Sequence, residues 1–180
     1  MIVVLHLLGV AMLAQAPAAP RPAASNVDAC ALLADADVRA VLNVSVNVRR
    51  PASEQAGGLL LSQCYLDTGT PRSVSIAAAG NTRAGRTTVT PRAFWRDQFH
   101  RRDERASERD ASDRGHEREG GARPIRGVGE EAFWSGTRVA GALYVLRGDT
   151  FLRISIGGIS DEQERIEKSR QLARRALLRQ

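Results

Sequence analysis

The sequence predicts an α+β fold, an antiparallel sheet of about six strands flanked by helices in the order helix, strands, helix, strands, helix. Three observations carry this expectation. Apolar residues recur at helical spacing near Leu33, Phe94 and Ile166, they alternate with polar ones in the segments between, and Gly, Pro and Asp gather at the joints. Of 180 residues, 43% are hydrophobic and only 4% aromatic, so Leu, Ile, Val and Ala must fill one domain's core.

The chain opens with an apolar run from Ile2 to about Leu13, followed by the small-x-small pattern Ala14-Gln15-Ala16. Residues 1–16 therefore read as a signal peptide, and 17–26 as a Pro/Ala tether. No Lys or Arg precedes the run, and Pro17 is a poor residue after a cleavage site. Cleavage at Ala18 or Ala19, and an uncleaved membrane anchor, stay open as alternatives. The run falls short of the ~20 apolar residues that a spanning helix needs.

The single domain spans 27–180. Leu32, Leu33, Val38, Val41 and Leu42 fall on one helical side, with Asp35 as the N-cap and Asn43 at the end. Val44, Val46 and Val48 alternate as a first strand, and PASEQAGG reads as the loop after it. LLLSQCYL and RSVSIAAA are the next two strands, joined by a turn over Asp67–Pro71. Pro91 opens a helix whose Phe94, Trp95 and Phe99 form an apolar patch, so that it docks at its start only. The stretch 103–123 holds five Arg, seven Asp or Glu and no apolar side chain larger than alanine, so it is a charged insertion, helical or a loop. EEAFWS, GALYVLR and TFLRISI then make a meander. The last helix carries a capping box at Ser160 and Gln163, and packs through Ile166, Leu172, Ala173, Ala176 and Leu177.

Chemistry is sparse along this chain. In "GVGEEAFW" (127–134) the neighbours Glu130 and Glu131 would diverge if the stretch is extended, which disfavours paired general acid/base work. The glycines then serve a turn, Phe133 and Trp134 pack, and the glutamates are solvated or cap the loop. Cys30 and Cys64 suit a single disulfide, with lipid attachment at Cys30 and two buried thiols as alternatives. With His6 in the leader, only His100 and His116 remain and both cysteines suit a bridge, so no cluster with metal-ligand spacing is left and no metal or other cofactor is expected. Arg147-Gly148-Asp149 reads as a hairpin turn rather than an adhesion tripeptide.

The net charge of +6 points to an acidic partner, and its excess lies between Arg72 and Arg102 and near the C-terminus. Arg92, Trp95, Arg96, Phe99, Arg101 and Arg102 form the candidate partner-contact set. No stacking array accompanies them, so nucleic acid is not expected; an envelope protein, an anionic polymer, a small ligand or peripheral contact with anionic lipid is.

Taken together, Cys30-Ala31-Leu32-Leu33, Ser62-Gln63-Cys64-Tyr65, Val128-Gly129-Glu130-Glu131-Ala132-Phe133-Trp134 and Leu143-Tyr144-Val145 give the chain a family likeness. It resembles bacterial exported envelope proteins of unknown function, lipoproteins and sensor-like domains among them, with a C-x-L-L helix, an S-x-C-x-Y strand and a G-x-G-[DE]-E-A strand. The resemblance covers about 28–178 and implies an exported domain, a Cys30–Cys64 disulfide and an antiparallel sheet with helices. It carries over no catalytic residue. The chain departs from the lipoprotein members in lacking a lipid-attachment motif, and its 103–123 insertion has no counterpart in the pattern. The expectation is a secreted or periplasmic, non-catalytic binding or accessory module, with a small hydrolase-type enzyme as the alternative.

Overall fold

A strand stretch buried on both faces can only lie inside a sheet covered on both sides, and β3 (Ser73–Ala79) and β7 (Thr150–Gly157) meet in such a stretch, where Ala77, Ala78, Ala79, Phe151 and Leu152 are all buried. Their antiparallel pairing, from Ser73 opposite Gly157 to Ala79 opposite Phe151, joins two meanders into one sheet. The computed structural model describes residues 27–69, 71–80, 89–100 and 121–179. The expected signal peptide and tether, Arg101, Arg102, His116 and most of the charged stretch 103–123 lie outside these.

The sheet runs β1-β2-β3-β7-β6-β5-β4. Its other strands are β1 (Val48–Ala56), β2 (Leu59–Asp67), β4 (Arg123–Pro124), β5 (Glu131–Gly136) and β6 (Gly141–Arg147). The helices are α1 (Asp35–Leu42), α2 (Pro91–Trp95), which runs on into a π-helical turn over Arg96–His100, and α3 (Glu162–Leu177). The α+β class and the helix-strands-helix-strands-helix order hold, with the two-residue β4 raising the strand count to seven among the described residues.

Several elements sit differently from expectation. The first strand is not Val44–Val48 but begins at Val48 and occupies the stretch whose composition suggests a loop, up to a turn at Gly57 and Gly58 with φ of 55° and 80°. The cause is position: β1 is an edge strand with nearly every residue at least partly exposed, so it needs no apolar alternation. Val44 and Val46 pack against the core from outside any strand. Ala34, not Asp35, is the N-cap of α1; Asp37 one turn in accepts the Ala34 N–H at 2.8 Å. Asp161 caps α3 by accepting the Glu164 N–H at 2.6 Å, in place of the Ser160 and Gln163 box.

α1 and α3 cover one sheet face, where Leu33, Leu42, Ile76, Leu152, Ile154 and Leu172 are all almost fully buried. They are bound to each other by ions as well as oil. Asp37 accepts from Arg175 and pairs with Arg179. Burial pushes the Asp37 carboxyl up, but the Ala34 N–H and the two arginines outweigh that and hold it below the ordinary aspartate range. Lys168 donates to the Val41 carbonyl at 2.9 Å, closing the end of α1. Arg165, only 1% exposed, donates to the carbonyls of Ile159, Thr137 and Arg138 at 2.9 Å each, and so ties the β5–β6 connection to α3.

Cys30 and Cys64 form a disulfide with their Cα atoms 5.0 Å apart, fixing the segment before α1 to β2. Among the described residues no helix is long and apolar enough to cross a membrane. The bridge spans 34 residues, which in the chain-entropy account restricts the unfolded state by about 3–4 kcal/mol. Denaturant titration with and without reductant should show a loss of that order, and Cys30→Ser with Cys64→Ser should match the reduced protein.

Candidate functional site

The register of β5 on β6 sets Glu131 opposite Leu146 and Phe133 opposite Tyr144, so these four face away from α1 and α3. Ala132 and Trp134 face the other way, into the main core. α2 lies over the first group. Pro91 opens it and Thr90 caps it, accepting the Ala93 N–H at 3.1 Å. Trp95 and Phe99 then bury against the sheet: their rings are 4.4 Å apart, and Phe99 stacks on Phe133 at 4.9 Å.

A single carboxylate oxygen anchors this segment. Glu131 Oε2 accepts from the Trp95 Nε1–H at 2.9 Å and lies 2.8 Å from His100 Nε2. In an α-helix, residues five apart point about 140° away from each other. The π-helical turn from Arg96 to His100 widens the helix so that both Trp95 and His100 reach the same oxygen. Next to it, Glu130 accepts the Gly148 N–H at 2.8 Å and binds Arg92, whose guanidinium also lies 4.0 Å from Asp149. The Gly148–Asp149 turn is thus the β6–β7 hairpin connection, latched to the start of β5.

The opening glycines have a steric reason. Gly129 has φ of 62°, and a Cβ there would come within 2.4 Å of Val145 Cγ1 and 2.6 Å of the Leu146 carbonyl oxygen. The stretch is a strand entrance, as its pattern implies, but its glutamates are not idle solvated groups. Each holds a different part of α2. The Trp95 N–H is the main cause that keeps the Glu131 carboxyl below the usual glutamate range, against a contrary push from burial, with His100 adding to it. For Glu130 the Gly148 N–H comes first, then Arg92.

Between α2 and the sheet lies an open cleft of about 480 Å³, lined by Thr90, Arg92, Trp95, Arg96, His100, Glu131 and Leu146. A second hollow of about 320 Å³, bordered by Gly57, Val89, Phe94 and Arg96, sits on the other side of the helix. Arg96 borders both, is exposed, and has no carboxylate partner among the described residues. The cleft therefore combines an indole and a leucine with an uncommitted guanidinium and an imidazole. No cluster of three metal-ligating side chains occurs among the described residues.

Of the candidate partner-contact set, Arg92, Trp95 and Arg96 line this cleft, but Trp95, like Phe99, is almost wholly buried, at 1% and 4% exposed. Those two aromatics are internal, packed against the sheet and not offered to a partner. The helix docks along its described length, not at its start only, because the π turn carries Phe99 back onto the sheet. The His100 and Glu131 pairing escapes sequence reasoning, since a spacing of five residues back to Trp95 belongs to no regular helical face. The chain matches no protein-family profile, no curated protein sequence and no solved structure.

Glu131→Gln should weaken the seating of α2 and cost about 1 kcal/mol once solvent screening of this half-exposed group is allowed for. Because the folded pKa is depressed, the carboxylate's contribution is complete above the unfolded value near 4.5 and fades as the pH falls through the lower folded one. Urea unfolding at neutral pH should separate wild type from Glu131→Gln, and the gap should close in acid.

Proposed function

We propose that the protein is an exported, non-catalytic binding module of the bacterial envelope that holds a carboxylate- or phosphate-bearing ligand in the cleft beneath α2. The observation that carries this reading is Arg96: an exposed guanidinium at the mouth of a half-apolar cleft, with no acid to neutralise it among the described residues. Of the acids nearby, Glu130 is engaged with Arg92 and Gly148 and Glu131 with Trp95 and His100, while Asp97, next to Arg96 in the chain, borders the second hollow and not this cleft. An incoming anion would meet the exposed guanidinium of Arg96 beside the partly exposed His100, over a floor closed by the buried Trp95 and Leu146. Export is supported by the leader-like N-terminus and by the Cys30–Cys64 bridge, a bond that persists in oxidising compartments. The likeness to bacterial envelope proteins points the same way.

One observation favours a second reading, a small hydrolase. His100 beside Glu131 is the arrangement in which a carboxylate orients an imidazole to act as a base on water. Thr90, the hydroxyl in the cleft, is committed to capping α2, which leaves that reading without an activated side-chain nucleophile among the cleft's described residues.

A thermal-shift series with inorganic phosphate, pyrophosphate, small di- and tricarboxylates and neutral sugars separates these readings. Binding predicts stabilisation of the wild type by one or more anions and its loss in Arg96→Ala. Stabilisation by neutral sugars alone, or an anion effect that survives Arg96→Ala, would sink the proposal. Sustained release of nitrophenol from nitrophenyl esters, abolished by His100→Ala, would favour the hydrolase.

A further inference from the structure

The far end of α3 carries a second cluster of charge, apart from the cleft. The helix is polarised, with Glu162 and Glu164 in its first turn and Arg174 and Arg175 in its last. That much suits the helix dipole. Other elements add to the same end. Arg147 from β6 donates to the Leu177 carbonyl at 2.8 Å, and Arg174 donates to the Gly127 carbonyl at 3.0 Å, beside Arg126. Carbonyl partners orient these guanidinium groups without cancelling their charge. Of the acids near them, Asp37 has a side chain only 7% exposed and takes up Arg175 and Arg179 between α1 and α3, while Glu130 and Asp149, exposed at the β6–β7 turn, face Arg92.

Two residues there are left unexplained by folding. Arg126 is exposed and has no hydrogen bond or ion pair among the described residues, and Leu178 is 82% exposed at the helix end. An exposed apolar side chain at a helix end that also carries Arg174 and, through the Leu177 carbonyl, holds Arg147 suits a surface that meets anionic lipid. The path of the chain agrees. Arg147 opposes Thr150 and Ala79 opposes Phe151, so the end of β6, the end of β3 and the end of α3 share one rim of the sheet. Val27, where the described chain begins, lies at that rim: a Cβ on Gly80 would sit 3.0 Å from its Cγ2.

We infer that this rim docks on a membrane surface rich in anionic phospholipid, with Leu178 at the acyl boundary and Arg126, Arg147 and Arg174 among the headgroups. The docking is independent of the cleft and of what the cleft holds. It also presents the cleft from a fixed side, since α2 leans on β5 and β6 near the same rim.

The test is co-sedimentation of the full chain with vesicles of phosphatidylcholine, alone or mixed with phosphatidylglycerol, at low and high salt. The apolar N-terminal run contributes to both vesicle types, so the quantity read is the increment due to phosphatidylglycerol. That increment should be several-fold at low salt and vanish at high salt. Arg126→Gln should cut it about fivefold, the effect of one arginine near an anionic surface, and Leu178→Ser should lower it further. No increment, or an increment unchanged in the double variant, overturns the inference. So does soluble polyphosphate binding that matches vesicle binding and ignores Leu178→Ser, which would assign the cluster to an anionic polymer. If a variant unfolds, hydrogen exchange of the wild type decides: anionic vesicles should slow exchange in the last turn of α3, and unchanged exchange there overturns the docking.

Discussion

The pairing of β3 with β7 is the constraint on which the rest of the molecule depends. It places Ala77, Ala78 and Ala79, each at most 1% exposed, next to Phe151 and Leu152, and so creates a sheet centre that is dry on both faces. One face receives α1 and the 16-residue α3. The other receives, among the described residues, only α2 and its π turn. So short a cover cannot seal the sheet by area. It compensates with three aromatic rings and with the Glu131 carboxylate, and the gap it leaves is the cleft. The candidate site is thus a by-product of how unequally the two faces are roofed.

The abundance of arginine has an internal explanation that changes how the net charge is read. Arg49, Arg72, Arg147, Arg165 and Arg174 donate to the carbonyls of Cys30, Leu42, Leu177, Ile159 and Gly127, all at or near the ends of helices or in connections. These are the places where backbone acceptors lack partners of their own. Guanidinium is suited to the task because it offers several donors in a rigid plane. Such bonds leave the positive charge in place, so a chain that closes its loose ends with arginine becomes basic without any nucleic-acid role. The charge is then available to whatever anionic surface the protein meets.

Much of the fold is legible in the sequence because burial imposes a period. The three C-terminal strands and α3 follow their apolar patterns closely, since Leu152, Ile154 and Ile156 bury one face of β7 while Arg153 and Ser155 stay partly exposed on the other, and a one-residue slip would exchange them. β1 is illegible for the opposite reason. Nothing buries it, so its residues carry no pattern, and the valines that do alternate before it serve as loop plugs. The site is legible only in part. Arg92 and Arg96 are nominated by their charge, but the inward turn of Trp95 and Phe99 depends on the π turn, which leaves no mark in spacing. The roles of Glu130 and Glu131 need the distant α2, 38 and 36 residues away from their partners Arg92 and Trp95.

The position of the disulfide along the chain bears on the order in which the molecule can be assembled. Both cysteines precede β3, whereas β7, the strand that β3 needs on its second side, begins only at Thr150. A chain delivered amino end first can oxidise Cys30 and Cys64 before the rest of the sheet has arrived. Until β7 docks, the locked N-terminal half would present β3 as a bare and strongly apolar edge. Early oxidation thus secures half the domain while lengthening the interval in which it is most prone to associate with a neighbour, so the rate of delivery, and not only the final stability, decides the yield of folded protein.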